Sequence, residues 1–495
     1  MPRHSKAGER LIAGVPAPIM APRLVFLVSL AAILAFGLLM VYSASSVEAL
    51  KEHGSSTYFF MRQAIFMVFG LAVAAALVFW VPKRWFDGKV IWGILLILVL
   101  ALGAVLLVGR GSRGATRWLS IAGFQFQPSE FAKPVLIVLM SKLFSDYYSG
   151  SIDLPRFVLS ALVALGFPLV LIFVQPDLGT ALIIFATVIA MALMAGMKAR
   201  TLLMIVIPLA VVVLIDAKFL HPYRLMRYTV SLDPFADEFG DGYQAALAVM
   251  AFASGGLFGR GIGGSTFKYN YLPEAHNDYI LAIVGEELGF VGTLAFFALF
   301  LLMIYSAMKI AARAADKRDG LMASGCAVIL CIQFLINALG ILNVFPMTGK
   351  PLPFVSYGGS AIVSCLLLAG VILRVSIDSD RKSVYDERRR DFALVDESTA
   401  GTPHPRSERR ARQQGGFSVL DGFDVLKRDD GVAPVRPTPR KPTPRKDTSQ
   451  NGAPAPYRRI DLASDPTARL RTGNGPQVRD RSTDRSATRR ERHDR

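Results

Sequence analysis

Residues 271–287 read YLPEAHNDYILAIVGEE, passing without a spacer from a polar loop into an apolar helical pattern and placing Glu274, His276 and Asp278 where the two meet. Two readings stand side by side. A proline followed by acidic and amide residues is an ordinary helix start, with Asn277 or Asp278 as the cap and a carboxylate favoured by the helix dipole. A carboxylate held at the mouth of a membrane-length helix is equally suited to chemistry, so the rest of the chain has to decide.

Of the 495 residues 52% are hydrophobic and only 19% are charged, and the mean hydropathy is positive. That composition excludes a soluble globular chain of this length and implies an integral membrane protein. Apolar runs of about 20 residues, the length that crosses ~30 Å of hydrocarbon, fall at 24–43, 64–81, 90–109, 129–147, 156–174, 178–197, 201–217, 279–311, 321–344 and 358–376. They are continuous runs of Leu, Ile, Val, Ala and Phe rather than the alternating segments of a barrel. The expected fold class is therefore all-α: a polytopic integral membrane protein with about ten transmembrane helices. The first run is longer than a signal-peptide core, so it is read as an anchor although Ser43, Ala44 and Ser45 imitate a cleavage site.

Basic residues set the orientation. Lys83, Arg84, Lys89, Lys198, Arg200, Lys309, Arg313, Lys317, Arg318, Arg374, Arg381 and Lys382 all fall at alternate span ends, which puts both termini in the cytoplasm and the 271–278 stretch outside. The loop GRGSRGATRWLS, residues 109–120, breaks the rule by holding Arg110, Arg113 and Arg117 outside. Three arginines there require a compensating anion, either a ligand or lipid headgroups.

The chain divides into a cytoplasmic segment 1–23, a membrane domain 24–376 and a tail 377–495. The tail holds 27 Lys+Arg against 19 Asp+Glu and little apolar surface, so disorder is expected. Its PTPRK repeats at 437–446 favour extended polyproline conformations, and FSVLDGFDVL, residues 417–426, is its one apolar cluster and a candidate docking motif. Cys326, Cys331 and Cys365 all lie in spans, leaving no disulfide framework or zinc spacing.

Charges inside spans are costly and mark pairs or cavities. Glu130 and Lys133 share a helix face and partly neutralise each other. The QPD corner at 175–177 reads as a helix start. Glu286 lies about 80° around and ~12 Å deeper than Asp278 on an uninterrupted helix. The long loop 218–277 contains SGGLFGRGIGG (254–264) followed by Lys268, and a second loop reads PMTGKPLPFVSYGGS (346–360). Glycines of this density permit close backbone approach or a re-entrant turn, and neither loop has the spacing of a Walker phosphate loop.

Four of these stretches, in this order, resemble the SEDS family (shape, elongation, division and sporulation proteins): RWL with FQPSEFAK (117–133), QPDLGTAL (175–182), YLPEAHNDYI with GEELG (271–289) and LPFVSYGGS (352–360). The resemblance covers 24–376. VYSASS (41–46), YFFMRQ (58–63), PEAH (273–276) and the long tail resemble the division branch, with the elongation branch as rival.

The resemblance implies peptidoglycan glycosyl transfer between lipid II molecules outside the cytoplasmic membrane, with undecaprenyl pyrophosphate leaving. The family's essential carboxylate falls on Asp278, as general base or as ligand to a divalent cation, magnesium or manganese. Arg117, Lys133 and Lys268 are the expected partners of the diphosphate. Trp118, Glu130, Glu274, His276, Lys350 and Ser356 complete the expected substrate-binding set. A class B penicillin-binding protein is the implied partner, with other division proteins reached through the tail and no nucleic acid. The implied place is the bacterial cytoplasmic membrane at the septum. Asn277 stands where the family usually has Thr, and Leu247-Ala248 where many members carry Gln-Ser. A lipid II flippase and a division scaffold are the competing readings. The first should concentrate polar groups at the midplane between repeated halves, and no internal repeat is visible. The second should depend on the tail.

Overall fold

Each of the ten expected runs forms a helix in the computed structural model, which describes residues 11–399 apart from 13–14, 113–114, 122–123, 221–222, 238, 241 and 270. In chain order these are α1 Ala17–His53, α2 Tyr58–Phe79, α3 Lys89–Val108, α4 Pro128–Tyr148, α5 Leu154–Val174, α6 Leu178–Ala195 and α7 Ala199–Ile215. Two helices outside the ten runs follow, α8 Tyr223–Leu232 and α9 Tyr243–Ser254, and then α10 Ile280–Ala312, α11 Lys317–Ile341 and α12 Gly359–Thr399. Eight are long and apolar enough to cross a membrane: α1, α2, α3, α5, α6, α10, α11 and the Gly359–Ser379 part of α12. The other two fall short for identifiable reasons. α4 carries Glu130, Lys133, Lys142 and Asp146, and α7 has only 17 residues.

Burial sorts the helices. The apolar windows of α11 and α12 are 67% and 78% buried against other helices, whereas those of α2 and α5 are only 22% buried and face outward to lipid. In α4 every residue from 136 to 141 is buried, so it runs through the middle of the bundle. A central helix shielded from lipid can hold a charge pair that a peripheral one cannot.

Contacts between helix ends fix the parity of the crossings. At one end Arg23 donates to the Ser376 hydroxyl (2.9 Å) and carbonyl (2.8 Å), Arg374 to Val78 O, Arg313 to Pro18 O, and Lys83 to Asp316 and Asp319. This is the basic end, and it joins residue 23 to residue 376 as an even number of crossings requires. The opposite end gathers the loops before α2, α4, α6, α10 and α12.

The all-α expectation holds, and details within it differ. The loop before α4 adds short antiparallel strands, Arg110–Ser112, Ala115–Ile121 and Phe124–Phe126, and Leu11–Ile12 pairs with Val15–Pro16. α1 begins before residue 24 and runs past 43, burying Ser43 and Ser45 inside the bundle as an anchor would. α12 continues to Thr399 although a disordered tail was expected from 377. Residues 377–400 contain neither Gly nor Pro, and the helix stops just before Gly401. The remainder of the tail, including 417–426 and 437–446, lies outside the described residues. The chain divides into two units, 1–429 and 430–495, and the second is wholly outside them.

α10 is not the continuous helix the spacing suggested. It is interrupted at Gly289, which has φ 68° and ψ −169°, a region essentially restricted to glycine. The glycine-rich loop fills the break: Arg260 N and Gly261 N donate to the Glu286 and Glu287 carbonyls, and Phe290 N and Val291 N donate to Gly256 O and Leu257 O. Of the two roles expected of its glycines, close backbone approach is the one seen, with Gly259 and Gly289 packed backbone to backbone. Glu286 accepts from Ser265 Oγ, Thr266 N, Thr266 Oγ1 and Phe267 N.

Candidate functional site

The 271–279 loop is held from every side. Glu274 takes a left-handed φ of 57°, and its carboxylate accepts from Asn277 Nδ2 at 2.6 Å. Asn277 O accepts from Ser356 Oγ at 2.6 Å, and Ser356 Oγ in turn accepts from Leu352 N. His276 O accepts from Tyr357 N, and the His276 ring packs on Phe59 with Nδ1 3.0 Å from Glu48 Oε2. Gln63 on α2 donates to Ser356 O and accepts from Gly358 N. The helix-cap reading is thus overturned. Tyr279, not Asn277 or Asp278, occupies the N-cap of α10, with no side-chain cap bond. Asn277 is already engaged by Glu274 and Ser356.

Asp278 is freed from capping and sits half-buried against Gly349, whose added Cβ would come within 3.3 Å of Asp278 Oδ2. Gly349 has φ 66°, so glycine there serves both the turn and the space for the carboxylate. Burial, reinforced by the negative charge of Glu274, pushes the Asp278 carboxyl up to about 6, against the opposing pull of Lys350, Arg117 and Arg227. A carboxyl tuned toward neutrality is what general-base work requires.

Lys350 donates to Asp177 Oδ1 at 2.6 Å and is 3% exposed. Asp177 also accepts from Ser129 Oγ (2.8 Å), Thr180 Oγ1 (2.9 Å) and Gln127 Nε2 (3.2 Å). Burial alone would raise its carboxyl, but Lys350 and Arg117 hold it well below the usual carboxylate range. The helix-start reading of this corner is right, since Asp177 caps α6 through Thr180 N. Arg117 donates to Pro176 O from the hairpin. Asp278, Glu274, Lys350 and Arg117 therefore form one electrostatically coupled group at the end opposite the basic one.

The remaining expected residues are arranged otherwise. Trp118 stands on the hairpin opposite Arg110, half-buried. Glu130 and Lys133 are paired at 2.6 Å with both side chains 1% exposed, and Lys133 also donates to Gln333 Oε1 at 2.7 Å. The pair closes as its spacing suggested, and it is sealed in the bundle rather than open to a substrate. Lys268 donates to Gly263 O and lies 3.3 Å from Glu287 Oε1, while Glu287 also accepts from Ser43. It braces the glycine-rich loop instead of facing Asp278. Ser356 and His276 support the loop through the contacts above.

Two amides were overlooked in the sequence. Gln333 and Asn337 lie four apart on one face of α11, and both reach the site loops. The available signal was their cost, because an amide in an apolar span has to find partners.

Among the described residues no three His, Cys, Asp or Glu side chains converge as a metal cage. One carboxylate, Asp278, is available, and a single carboxylate suffices for magnesium or manganese when substrate phosphates supply the other oxygens.

The family model of the cell cycle proteins FtsW, RodA and SpoVE matches residues 23–381. A probable peptidoglycan glycosyltransferase FtsW of Trichlorobacter lovleyi is 37% identical over 360 residues, covering 71% of this chain and 92% of that protein. One from Taylorella equigenitalis is 39% identical over 354 residues, 69% of this chain and 95% of that protein. Among solved structures, a chain of a peptidoglycan synthase complex that coordinates polymerization and crosslinking is similar with a TM-score of 0.57 at 28% identity, over 72% of this chain and 97% of that one. The rod shape determining protein RodA of Thermus thermophilus is similar with a TM-score of 0.51 at 27% identity, over 72% and 96%.

Proposed function

The chain belongs to the FtsW, RodA and SpoVE family of cell cycle proteins, and from that premise we propose that it polymerises lipid II into glycan strands at the outer surface of the cytoplasmic membrane, for the division septum. The basic end faces the cytoplasm and the Asp278 end faces outward. The division branch is favoured because the FtsW relatives above reach 37% and 39% identity, against 27% for the RodA of Thermus thermophilus.

The observation that carries the reading is Asp278: a half-buried carboxyl raised to about 6 beside Lys350 and Arg117. In the reaction a sugar 4-hydroxyl of one lipid-linked unit attacks the anomeric carbon of another. The new C–O bond forms as the bond to the pyrophosphate breaks, and Asp278 takes the hydroxyl proton. The electron pair of the broken bond goes to the pyrophosphate, whose charge Arg117 and, on release from Asp177, Lys350 would stabilise. In the alternative role Asp278 would hold magnesium or manganese carried in with the pyrophosphate, which would supply charge neutralisation in place of proton transfer to that carboxylate. Glu130 and Lys133 contribute from behind, through Gln333, by fixing the loop that bears Lys350. Transport is disfavoured because the intramembrane charges are paired and sealed, whereas the coupled group lies at one end.

A class B penicillin-binding protein that cross-links the product is the expected partner, in line with the similarity to a synthase-complex chain. Other division proteins are reached from the cytoplasmic side. The test is Asp278→Asn in the full chain, purified with its transpeptidase and given labelled lipid II. Loss of a general base should lower turnover by roughly 10²–10⁴-fold, and wild-type polymerisation by this variant would sink the assignment.

A further inference from the structure

Asp278 and Lys350 lie on different loops, one leading into α10 and one approaching α12, and no backbone hydrogen bond between these two residues is among those of the described loops. The loops are joined by Ser356 and by Tyr357 N, and among the described residues Asn337 is the side chain that bonds to both Asp278 and Lys350. Asn337 on α11, 1% exposed, donates from Nδ2 to Asp278 O at 2.9 Å and to Lys350 O at 2.9 Å. Of the two ends of this amide only the NH₂ can donate to carbonyl oxygens, so its orientation is fixed by its partners. Two acceptors on one planar NH₂ are held roughly 5 Å apart, as the 120° between its N–H bonds requires.

The neighbouring turn repeats the arrangement. Gln333 donates to Pro351 O at 2.8 Å while its Oε1 accepts from Lys133. One face of α11 thus grips consecutive carbonyls of the Lys350 loop, and its outermost amide extends the grip to Asp278. A leucine would suit an apolar span better than either amide, so both side chains are present against the solvation preference of their helix.

We propose that Asn337 is a positioning residue for glycosyl transfer, setting the separation of Asp278 from Lys350 by clamping the two carbonyls together. It touches neither sugar nor pyrophosphate. It makes the proton acceptor and the cation that meets the leaving group one rigid unit, so that both act on the same reacting bond. This rests on the reading of Asp278 as the base.

The test is a double-mutant cycle in the full chain with its transpeptidase, measuring kcat and KM for lipid II with Asn337→Leu, Lys350→Met, the double variant, and Asp278→Asn as reference. Asn337→Leu is near-isosteric and suits the span, and the thermal midpoint in detergent reports its folding. Misplacement by about 1 Å costs up to ~10²-fold, so the expected result is a kcat 10- to 100-fold lower with KM within about twofold. The double variant should be no slower than Lys350→Met by more than about twofold, since both changes break one unit. Losses that multiply, or a wild-type kcat in Asn337→Leu beside an inactive Asp278→Asn, overturn the clamp alone. Full activity in Asp278→Asn removes the base and the clamp together. Should Asn337→Leu not fold, the cycle is run with Asn337→Ser, and the same outcomes decide.

Discussion

Replacing Gly289 with alanine tests the broken helix directly. A Cβ at this position would lie 2.3 Å from Gly259 N, 2.7 Å from Leu257 O and 2.7 Å from Phe258 C. All three are backbone atoms, so no rotamer change relieves the clash, and the glycine-rich loop must withdraw. Withdrawal breaks the four backbone hydrogen bonds that Arg260, Gly261, Phe290 and Val291 donate across the break, at about 1 kcal/mol net each. Holding a non-glycine residue in this backbone region adds about 1–3 kcal/mol. A total of about 5–7 kcal/mol is comparable to the whole margin of an ordinary fold. The assay is the thermal midpoint of the detergent-purified full chain, together with amide hydrogen exchange at those four residues. Gly103→Ala is the control, because that glycine lies inside α3 with open space around it. A Gly289→Ala midpoint within about 2 °C of wild type, the size of a change below roughly 1 kcal/mol, with unchanged exchange at the four amides, would refute the reasoning.

Two further outcomes follow from the site. Glycosyl transfer should rise with pH through about 6, where burial and Glu274 hold the Asp278 carboxyl, because the protonated acid cannot accept the hydroxyl proton. Glu274→Gln removes the like charge and should move that rise to lower pH; a pH–rate profile of kcat/KM that does not move counts against the electrostatic coupling. Lys268→Met leaves Glu287 buried with only hydroxyl and amide partners, and should cost about 3–5 kcal/mol of stability, as breaking a buried pair does. Lys268→Met/Glu287→Gln should recover much of that loss, and a single variant with an unchanged thermal midpoint would show that the pair contributes nothing.

What the sequence revealed and what it concealed separate by distance along the chain. Glu130 and Lys133 could be paired from their spacing because three residues on a helix are neighbours, and Asp177 could be read as a cap because Thr180 is within one turn. Asn277 and Asp278 look like caps for the same local reason, but the helix starts after them at Tyr279, in a loop tied down by Ser356, 79 residues from Asn277. Lys133 and Lys268 attracted a diphosphate role through charge alone, yet each was committed to a buried glutamate that composition cannot locate. Gln333 and Asn337 escaped notice because two amides barely lower the hydropathy of a 25-residue helix. The break at Gly289 was equally invisible, since one glycine in an apolar run has no periodicity to disturb.

The length of α12 sets a geometry of its own. Its 41 residues, at ~1.5 Å each, measure about 60 Å, twice the ~30 Å that hydrocarbon requires. Were it to leave the bilayer straight, its far half would form a stalk rooted where Arg23 bonds to Ser376. A protein gripping the last turns of that stalk would be held roughly 30 Å from the lipid, a spacing fixed by helical pitch rather than by the reach of a loose chain. Such a stalk would act as a ruler, and inserting four residues would lengthen it by ~6 Å while turning its far end by about 40°.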